Sequence, residues 1–468
     1  MTMRAALLLA AMMVAGCALK APPTHTDVVD QAMPKDTRIP PAWRADAQSG
    51  EVTNDWLKSF NDPVLNAIVA EAIANNPDLR AAAAKVAIAQ QTVIVVGSRL
   101  LPWVGAQLGA NYTDDKDSSS FSSSSAFLGV GWELDVWGRL RAQRAASEAN
   151  AEAAALDYAY ARQSLAATAA KLWYVAIETR QLLVLSEQAV TIYSDLLELV
   201  QFRRNAGKDS DLDVVDVRAK LEAARSEVER ARESYGEARR ALEVLIGRYP
   251  AAEIEVAVVY PALPPLAGAG FPSALLERRP DLLAAEREVL AAFRKEEAAQ
   301  LALLPDFSIS LAGGRLGDQV LSLLRLNPWL VSVGIGVSIP IYEGGALRAK
   351  IQIATAQQAQ AIASYGATAL AAFREVENSL ANERLLALQL PLDQKSLADR
   401  TEAVRIATIQ YKAGRRDLLW VAQLQTAQLA SESNVIKLRG AQRTNRVRLY
   451  QALGGSFDAA PPTVISSR

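Results

Sequence analysis

The chain repeats itself at a nearly constant interval. Asn76-Pro77-Asp78-Leu79 returns as Arg279-Pro280-Asp281-Leu282, and Leu101-Pro102 as Leu304-Pro305, each 203 residues later. Farther along, Leu140-Arg141-Ala142 returns as Leu347-Arg348-Ala349, Ala206-Gly207 as Ala413-Gly414 and Gly247 as Gly454, each 207 residues later. A steady offset across most of each half means one structural unit used twice. Each copy reads in the same order: helix, strand, loop, strand, a very long helix, a tight turn and a returning helix. A unit of that shape points to a conduit rather than to an active site.

The long helices constrain the packing. Leu140 to Arg204 contains neither proline nor glycine, which predicts one helix about 100 Å long. Its counterpart, Leu347 to Ala413, contains Gly366 and Pro391 and is expected to kink or break near the proline. In the first returning helix, Val214, Val217, Leu221, Ala224, Val228, Ala231, Tyr235, Ala238, Leu242 and Leu245 recur at alternating spacings of three and four, a heptad seam. The matching seam of the second copy includes Gln428, Ser431, Gln442 and Asn445. It must face something wetter or lie in another register. Hydrophobic residues make up 50% of the chain but aromatics only 6%; much of the rest is alanine, which suits closely spaced helices. A net charge of −1 gives no electrostatic reason to expect nucleic acid.

Four segments alternate with period two. Val104, Ala106, Leu108, Ala110 and Tyr112 alternate with Gly105, Gln107, Gly109 and Asn111. Leu128, Val130, Trp132, Leu134 and Val136 alternate with Gly129, Gly131, Glu133 and Asp135. In the second copy, Phe307, Ile309 and Leu311 alternate with Ser308, Ser310 and Ala312, and Val331 to Ile341 alternates in the same way with Ser332, Gly334, Gly336 and Ser338. One apolar face and one face of Gly, Ser, Asn and carboxylate is the pattern of a membrane barrel strand. Trp103, Trp137, Trp329 and Tyr342 stand at strand ends, where an aromatic girdle belongs. The alternative is a soluble sandwich, for which two hairpins are too few. Asp114 to Ser125 and Gly317 to Pro328 read as exposed loops. No run after residue 20 approaches 18 consecutive apolar residues, so no transmembrane helix is expected.

The N-terminus reads as a targeting segment. Arg4 supplies a positive charge, Ala5 to Ala15 is a short apolar stretch, and Val14-Ala15-Gly16-Cys17 resembles the lipobox of bacterial lipoproteins. Cys17 is the only cysteine. The expectation is cleavage before it, with a diacylglycerol on its sulfur and an acyl group on its new amine; an inert thiol is the alternative. The division expected along the chain is a signal peptide over 1–16, a lipidated extended tether over 17–55 and a first repeat over 56–248. That repeat holds strands near 102–113 and 126–137 and a hairpin tip near 205–211. A linker over 249–272 leads to a second repeat over 273–455, with strands near 304–314 and 330–342 and a tip near 412–417. A tail over 456–468 ends the chain.

Four stretches in this order carry a resemblance: Trp56-Leu57-Lys58-Ser59-Phe60-Asn61-Asp62-Pro63, Asp135-Val136-Trp137-Gly138-Arg139, Arg278-Arg279-Pro280-Asp281-Leu282, and Tyr411-Lys412-Ala413-Gly414-Arg415. With the duplicated frame, the chain resembles the outer membrane factor family, the TolC-like channels, and within it the NodT-type lipoproteins of efflux systems. The resemblance implies a homotrimer, mainly α-helical with a membrane β-barrel: a shared twelve-stranded barrel and a long α-helical periplasmic barrel. Geometry agrees, since four strands cannot close a barrel and an open edge cannot face lipid. It also implies a passive duct in the outer membrane of a Gram-negative bacterium. The partners implied are a periplasmic adaptor protein and an inner-membrane pump of the RND type. Ala18, next to the lipidated cysteine, implies release to the outer membrane.

The resemblance places Gly207 and Gly414 at tips where the adaptor docks; by themselves they are glycines suited to a helix C-cap. Asp209, Asp211, Asp213 and Asp216 crowd the start of the first returning helix. Helix N-terminal stabilisation suffices for Asp209 and Asp211. Asp213 and Asp216 resemble in spacing the constriction aspartates of the family, which threefold symmetry would turn into carboxylate rings. In some relatives those lie in the second copy, where this chain has Trp420 and Gln423. Arg415 and Arg416 either bridge to a neighbouring carboxylate at the closed tip or are a solvated pair. No catalytic residue, metal cluster or cofactor site is expected beyond the lipid on Cys17, and His25, the only histidine, lies in the tether. The competing function is a coiled-coil structural lipoprotein tethering the outer membrane to periplasmic partners. It has no use for four amphipathic strands.

Overall fold

The computed structural model describes residues 19–45, 47, 50–113, 121–266, 268–317, 323 and 329–458. Cys17, the targeting segment, most of both strand-connecting loops and most of the tail lie outside them. The described helices are α1 (His25–Ala32), α2 (Trp56–Ser59), α3 (Pro63–Asn75), α4 (Pro77–Gly97), α5 (Arg139–Asn205), α6 (Asp211–Leu245), α7 (Pro272–Leu275), α8 (Pro280–Leu301), α9 (Ala346–Lys412) and α10 (Leu418–Ala452). The strands are β1 (Trp103–Thr113), β2 (Phe121–Leu134), β3 (Asp306–Gly317) and β4 (Leu330–Ser338). The repeat is visible in their lengths: α5 and α9 have 67 residues each, α6 and α10 have 35 each. Pro391 does not break α9. It removes one backbone bond, to the carbonyl of Ala387, and the turns on either side carry the helix across.

The fold divides into two compact units, each drawing on both repeats. The first holds Met1–Thr37, Ala83–Asp157 and Asp281–Thr368. Its sheet has the order β1-β2-β3-β4, antiparallel throughout, leaving β1 and β4 as edges. Three of the strands end elsewhere than the sequence suggests. β3 runs on to Gly317, because Arg315 to Gly317 pair with Ser124 to Ala126 of β2. β2 begins at Phe121, inside the stretch expected as a loop, because β1 has residues up to Thr113 with which Phe121 to Ser125 can pair. It stops at Leu134, because the Asp135 carboxylate turns to cap α5, accepting from the Leu140 and Arg141 amides at 2.9 and 3.0 Å. β4 stops at Ser338, just short of Pro340, which has no amide to donate.

The N-terminal segment is not an extended tether in its described part. Thr24 and Asp27 form a reciprocal capping box that starts α1, and Val28 is buried against Val289 and Tyr365. Upstream, a buried Arg294–Glu297 pair grips the backbone of Lys20: its amide donates to Glu297 Oε1 at 2.6 Å and its carbonyl accepts from Arg294 at 2.8 Å. His25 Nδ1 lies 2.7 Å from Glu286 Oε2. Leu19 rests against Gly138, at the junction of sheet and helix.

The second unit holds Arg38–Ala82, Tyr158–Pro280 and Ala369–Arg468. Its largest core explains the Trp56-to-Pro63 stretch. Trp56 stacks on Tyr450 with centroids 5.9 Å apart, Phe60 packs on Tyr174, and Asp62 both caps α3 and accepts from the Trp173 indole at 2.8 Å. Phe457, expected in the tail, is buried in the same core. Val214, Val217, Leu221, Ala224, Val228, Ala238 and Leu242 of the expected seam are buried along α6. The polar seam of α10 is not uniformly wet. Asn445 is buried and donates to the Ser379 carbonyl and to Glu383, beside a buried Arg446–Glu383 pair. Two acceptors for its amide nitrogen offset the cost of burying it where an apolar side chain would otherwise sit.

α4 and the turn after it, Pro77–Leu100, are long enough and, with a mean hydropathy of 1.4, apolar enough to cross a membrane. The expectation of no transmembrane helix rests on unbroken apolar runs, and Arg80, Lys85, Gln90 and Gln91 interrupt this one. It meets the criterion by length and composition alone.

Candidate functional site

Two regions carry the features of a channel: the faces of the sheet, in the first unit, and the ends of the helical hairpins, in the second.

The register sorts the sheet into rows. Val104, Val130, Leu311 and Val333 line up across the four strands on one face, as do Ala106, Leu128, Gly313 and Val331. Most of these apolar side chains are exposed in the protomer: Val104 is 66% exposed, Leu128 57% and Val333 71%. The other face runs Trp103, Gly131, Ser310, Gly334, then Gly105, Gly129, Ala312, Ser332. A bulky apolar face and a small polar face are what a wall between hydrocarbon and water requires. Trp103 departs from the girdle expectation, since it belongs to the polar face. Its indole lies along the wall, with Cζ3 near Gly105 and Nε1 over Gly131, and a Cβ on Gly131 would overlap the ring. Trp137 instead ties the end of the sheet, donating to the Pro305 carbonyl at 2.8 Å.

At the hairpin ends, α5 and α9 close in the same way. Gly207 (φ +68) and Gly414 (φ +73) adopt the left-handed conformation. The Gly207 amide bonds Arg204 O and the Lys208 amide bonds Arg203 O. Gly414 to Tyr411 and Arg415 to Gln410 repeat the pattern. This pair of bonds is the Schellman motif, which a side chain at the left-handed position would strain.

The two hairpins are joined by a network that the sequence reading missed. Asp209 lies in the first turn, and its side chain is only 8% exposed. Arg203 donates to Asp209 Oδ2 at 2.9 Å, the Tyr411 hydroxyl donates to the same oxygen, and Arg203 also donates to the Tyr411 carbonyl at 3.1 Å. The guanidinium lies over the Tyr411 ring, 4.3 Å from its centroid. Asp209 is therefore not a helix-end charge but the joint between α5, its turn and α9. Burial, with the bond to Asp209 second, pushes the Tyr411 hydroxyl well above its ordinary value. The hydrogen bond to Asp209 raises Arg203. Both keep their protons through the physiological range. Around the joint, Tyr193, Leu196, Val200, Val214, Val217, Ala407, Leu418 and Val421 form a core between the hairpins.

The other candidates are placed as follows. Asp213 completes a capping box with Ser210, and Asp216 accepts from Lys220 at 2.6 Å. Asp211 pairs with Arg204 at the surface. Arg415 and Arg416 are exposed, and Arg416 lies over Trp420, 5.5 Å from its ring. Cys17 lies outside the described residues. The signal for the missed network was present: an arginine four residues before Gly207, an aspartate two residues after it, and a tyrosine three residues before Gly414.

Comparison with known proteins bears on both regions. The model of the family described as "Outer membrane efflux protein" matches residues 68–248 and 271–455. The chain is 30% identical over 443 residues to the pyoverdine export outer membrane protein OpmQ of Pseudomonas aeruginosa, covering 92% of each chain. It is 28% identical over 420 residues to the toluene efflux pump outer membrane protein TtgF of Pseudomonas putida, covering 88% of this chain and 87% of that one. Its fold matches the solved structure of the outer-membrane channel OprN with a TM-score of 0.81 at 26% identity, over 91% of this chain and 99% of the other.

Proposed function

The chain belongs to the outer membrane efflux protein family, and from that premise we propose how its parts serve export. It is an outer-membrane channel component of an efflux system. The observation that carries the mechanism is the sheet: two unlike faces and two unpaired edges. An isolated copy would leave the amides and carbonyls of β1 and β4 in hydrocarbon without partners. Pairing β4 of one copy with β1 of the next removes every edge when three copies close a ring, with the small polar face turned to water. The 67-residue helices of the three copies then line a tunnel. Transport is passive diffusion along it, and the chain performs no turnover of its own. Its relatives are named for pyoverdine and for toluene, so the cargo class proposed here is small molecules.

The remaining partners are proposed on the same footing. A periplasmic adaptor protein docks on the tips at Gly207 and Gly414, and an inner-membrane pump of the RND type supplies the energy. Cys17 carries the lipid. Leu19, two residues after Cys17, rests on Gly138 at the base of the sheet, which supports a position for the acyl chains beside the barrel. The Arg203–Asp209–Tyr411 joint holds the two hairpins of a protomer together and resists opening. Asp213, Asp216, Arg415 and Arg416 are the further gate candidates around it.

Planar-bilayer recording of the purified protein tests this. Discrete unitary conductance from a detergent-solubilised trimer is expected. A structural spacer gives no conductance. A delipidated protein that stays monodisperse and monomeric without detergent overturns the barrel.

A further inference from the structure

Over its first two rows, Trp103 to Gly334 and Gly105 to Ser332, the polar face carries only glycine, serine and alanine besides Trp103, with Gln107 and Phe127 in the row beyond. Trp103 sits on it, 64% exposed, leaning away from the sheet edge and over β2. Opposite ends of the indole meet two glycines: Cζ3 would lie 3.0 Å from a Cβ on Gly105, and Nε1 would collide with one on Gly131. Cη2 would stand 3.9 Å from a Cβ on Gly129. Three glycines thus form a floor that lets the ring lie against the wall, with its other π-face open. A tryptophan serving only to fill the space above these glycines would need no particular neighbours. This one has a charged border. One row farther toward the end of the sheet, Glu133 pairs with Arg139, whose Nε is also 3.5 Å from Asp306 Oδ1. Two carboxylates share one guanidinium, so the border carries a net negative charge. The Asp306 and Glu133 side chains are 50% and 36% exposed.

We propose that Trp103 is a specificity-determining residue of the channel, a stacking platform on the lumen wall for planar aromatic cations, with Glu133 and Asp306 supplying the charge preference. This rests on the reading of the polar face as the lumen. An open indole face attracts a flat ring by dispersion and a positive charge through its quadrupole, and the excess carboxylate strengthens the second preference. Threefold assembly places three such platforms at one level. The site is transient by design: a single exposed face and a screened charge hold a cargo briefly and release it along the wall.

The test uses the full-length channel in planar bilayers. Ethidium is the planar aromatic cation and tetraethylammonium the ring-free cation, each added from the barrel side. Ethidium is expected to interrupt the current for resolvable times. In Trp103→Ala the mean interruption shortens roughly three- to thirtyfold, the range of one cation–π contact, while Trp103→Phe retains part of it. Gly131→Ala keeps the tryptophan but lifts it from its floor, and shortens the interruption as well. Tetraethylammonium responds equally in all variants. Equal ethidium interruptions in wild type, Trp103→Ala and Gly131→Ala overturn the platform while leaving the channel intact. A wild-type protein with no conductance sinks the lumen assignment and the platform with it.

Discussion

Tyr411→Phe is the sharpest perturbation of the tip, because it removes one oxygen and leaves the ring. The cation–π contact with Arg203 and the Arg203 bond to the Tyr411 backbone carbonyl survive. Only the hydroxyl bond to Asp209 is lost. A hydrogen bond to a charged, mostly buried acceptor contributes about 1.5–3 kcal/mol. Asp209→Ala removes that bond and the Arg203 bond together, and leaves a guanidinium that is 11% exposed without its carboxylate. Complete loss of a buried partner costs about 3–5 kcal/mol; the open end of the hairpin lets water reach the guanidinium, so about 3 kcal/mol is expected. Because the two changes share one bond, the double variant should fall short of their sum by roughly 1–2 kcal/mol. If the joint holds the hairpins in the closed arrangement, a loss of about 2 kcal/mol per protomer moves that equilibrium roughly thirtyfold toward opening. Open probability in planar bilayers, recorded for both single variants and the double, measures it. Open probabilities equal to wild type in Tyr411→Phe and Asp209→Ala would refute the latch, and strictly additive effects would show that the three groups do not act as one.

Four further outcomes follow from the geometry. Asp213→Ala with Asp216→Ala loses the Ser210 capping box, at about 1 kcal/mol, and raises conductance if these carboxylates ring the pore; unchanged current removes them from the gate. Cys17→Ser abolishes acylation, read by labelled-palmitate incorporation, yet leaves trimer in the membrane because the strands hold it; complete loss of membrane association counts against the barrel. Burial lifts the Glu178 carboxyl to about 7, with Lys437 opposing, so the folded protein binds more protons than the unfolded chain between about 4.5 and 7 and stability falls as pH rises through that window. Glu178→Gln should therefore raise the melting temperature progressively from pH 5 to pH 8, by a gain of about 1–3 kcal/mol at the upper end, and a pH-independent gain would contradict the assignment. Glu383→Ala strands Arg446, which is 6% exposed, and should cost about 3–5 kcal/mol in denaturant unfolding of the solubilised protein, whereas a loss under 1 kcal/mol would mean water replaces the carboxylate.

What the sequence disclosed and what it withheld divide along a physical line. A helix without proline or glycine, a heptad seam and a period-two strand are properties of neighbours in the chain, and α5, α6 and the four strands follow from them. Strand ends are not, because they depend on a partner's register. Ser122 to Ser125 look like loop residues until Gly109 to Tyr112 stand opposite them. The helix α1 was within reach, since Thr24 and Asp27 form a capping pair ahead of Val28 and Val29, but five prolines nearby suggested an extended tether. Trp103 shows a further limit. Alternation assigns it to the glycine face, but that its indole lies over Gly131 on another strand depends on strand pairing that no local pattern encodes.

The tip network makes the same point about charge. Four aspartates between 209 and 216 are equivalent as a cluster, and composition cannot rank them. The fold gives each a separate fate: a buried joint for Asp209, a surface pair for Asp211, a cap for Asp213 and a lysine partner for Asp216. Asp209, which the sequence presents as a helix-end charge, is the one with a partner in another hairpin, Tyr411, about 200 residues distant in sequence. A link of that range acts on the relative position of the hairpins, whereas a cap or an i,i+4 pair acts only within one. If the duct opens by parting its hairpins, Asp209 is the carboxylate of the four through which the opening must pass.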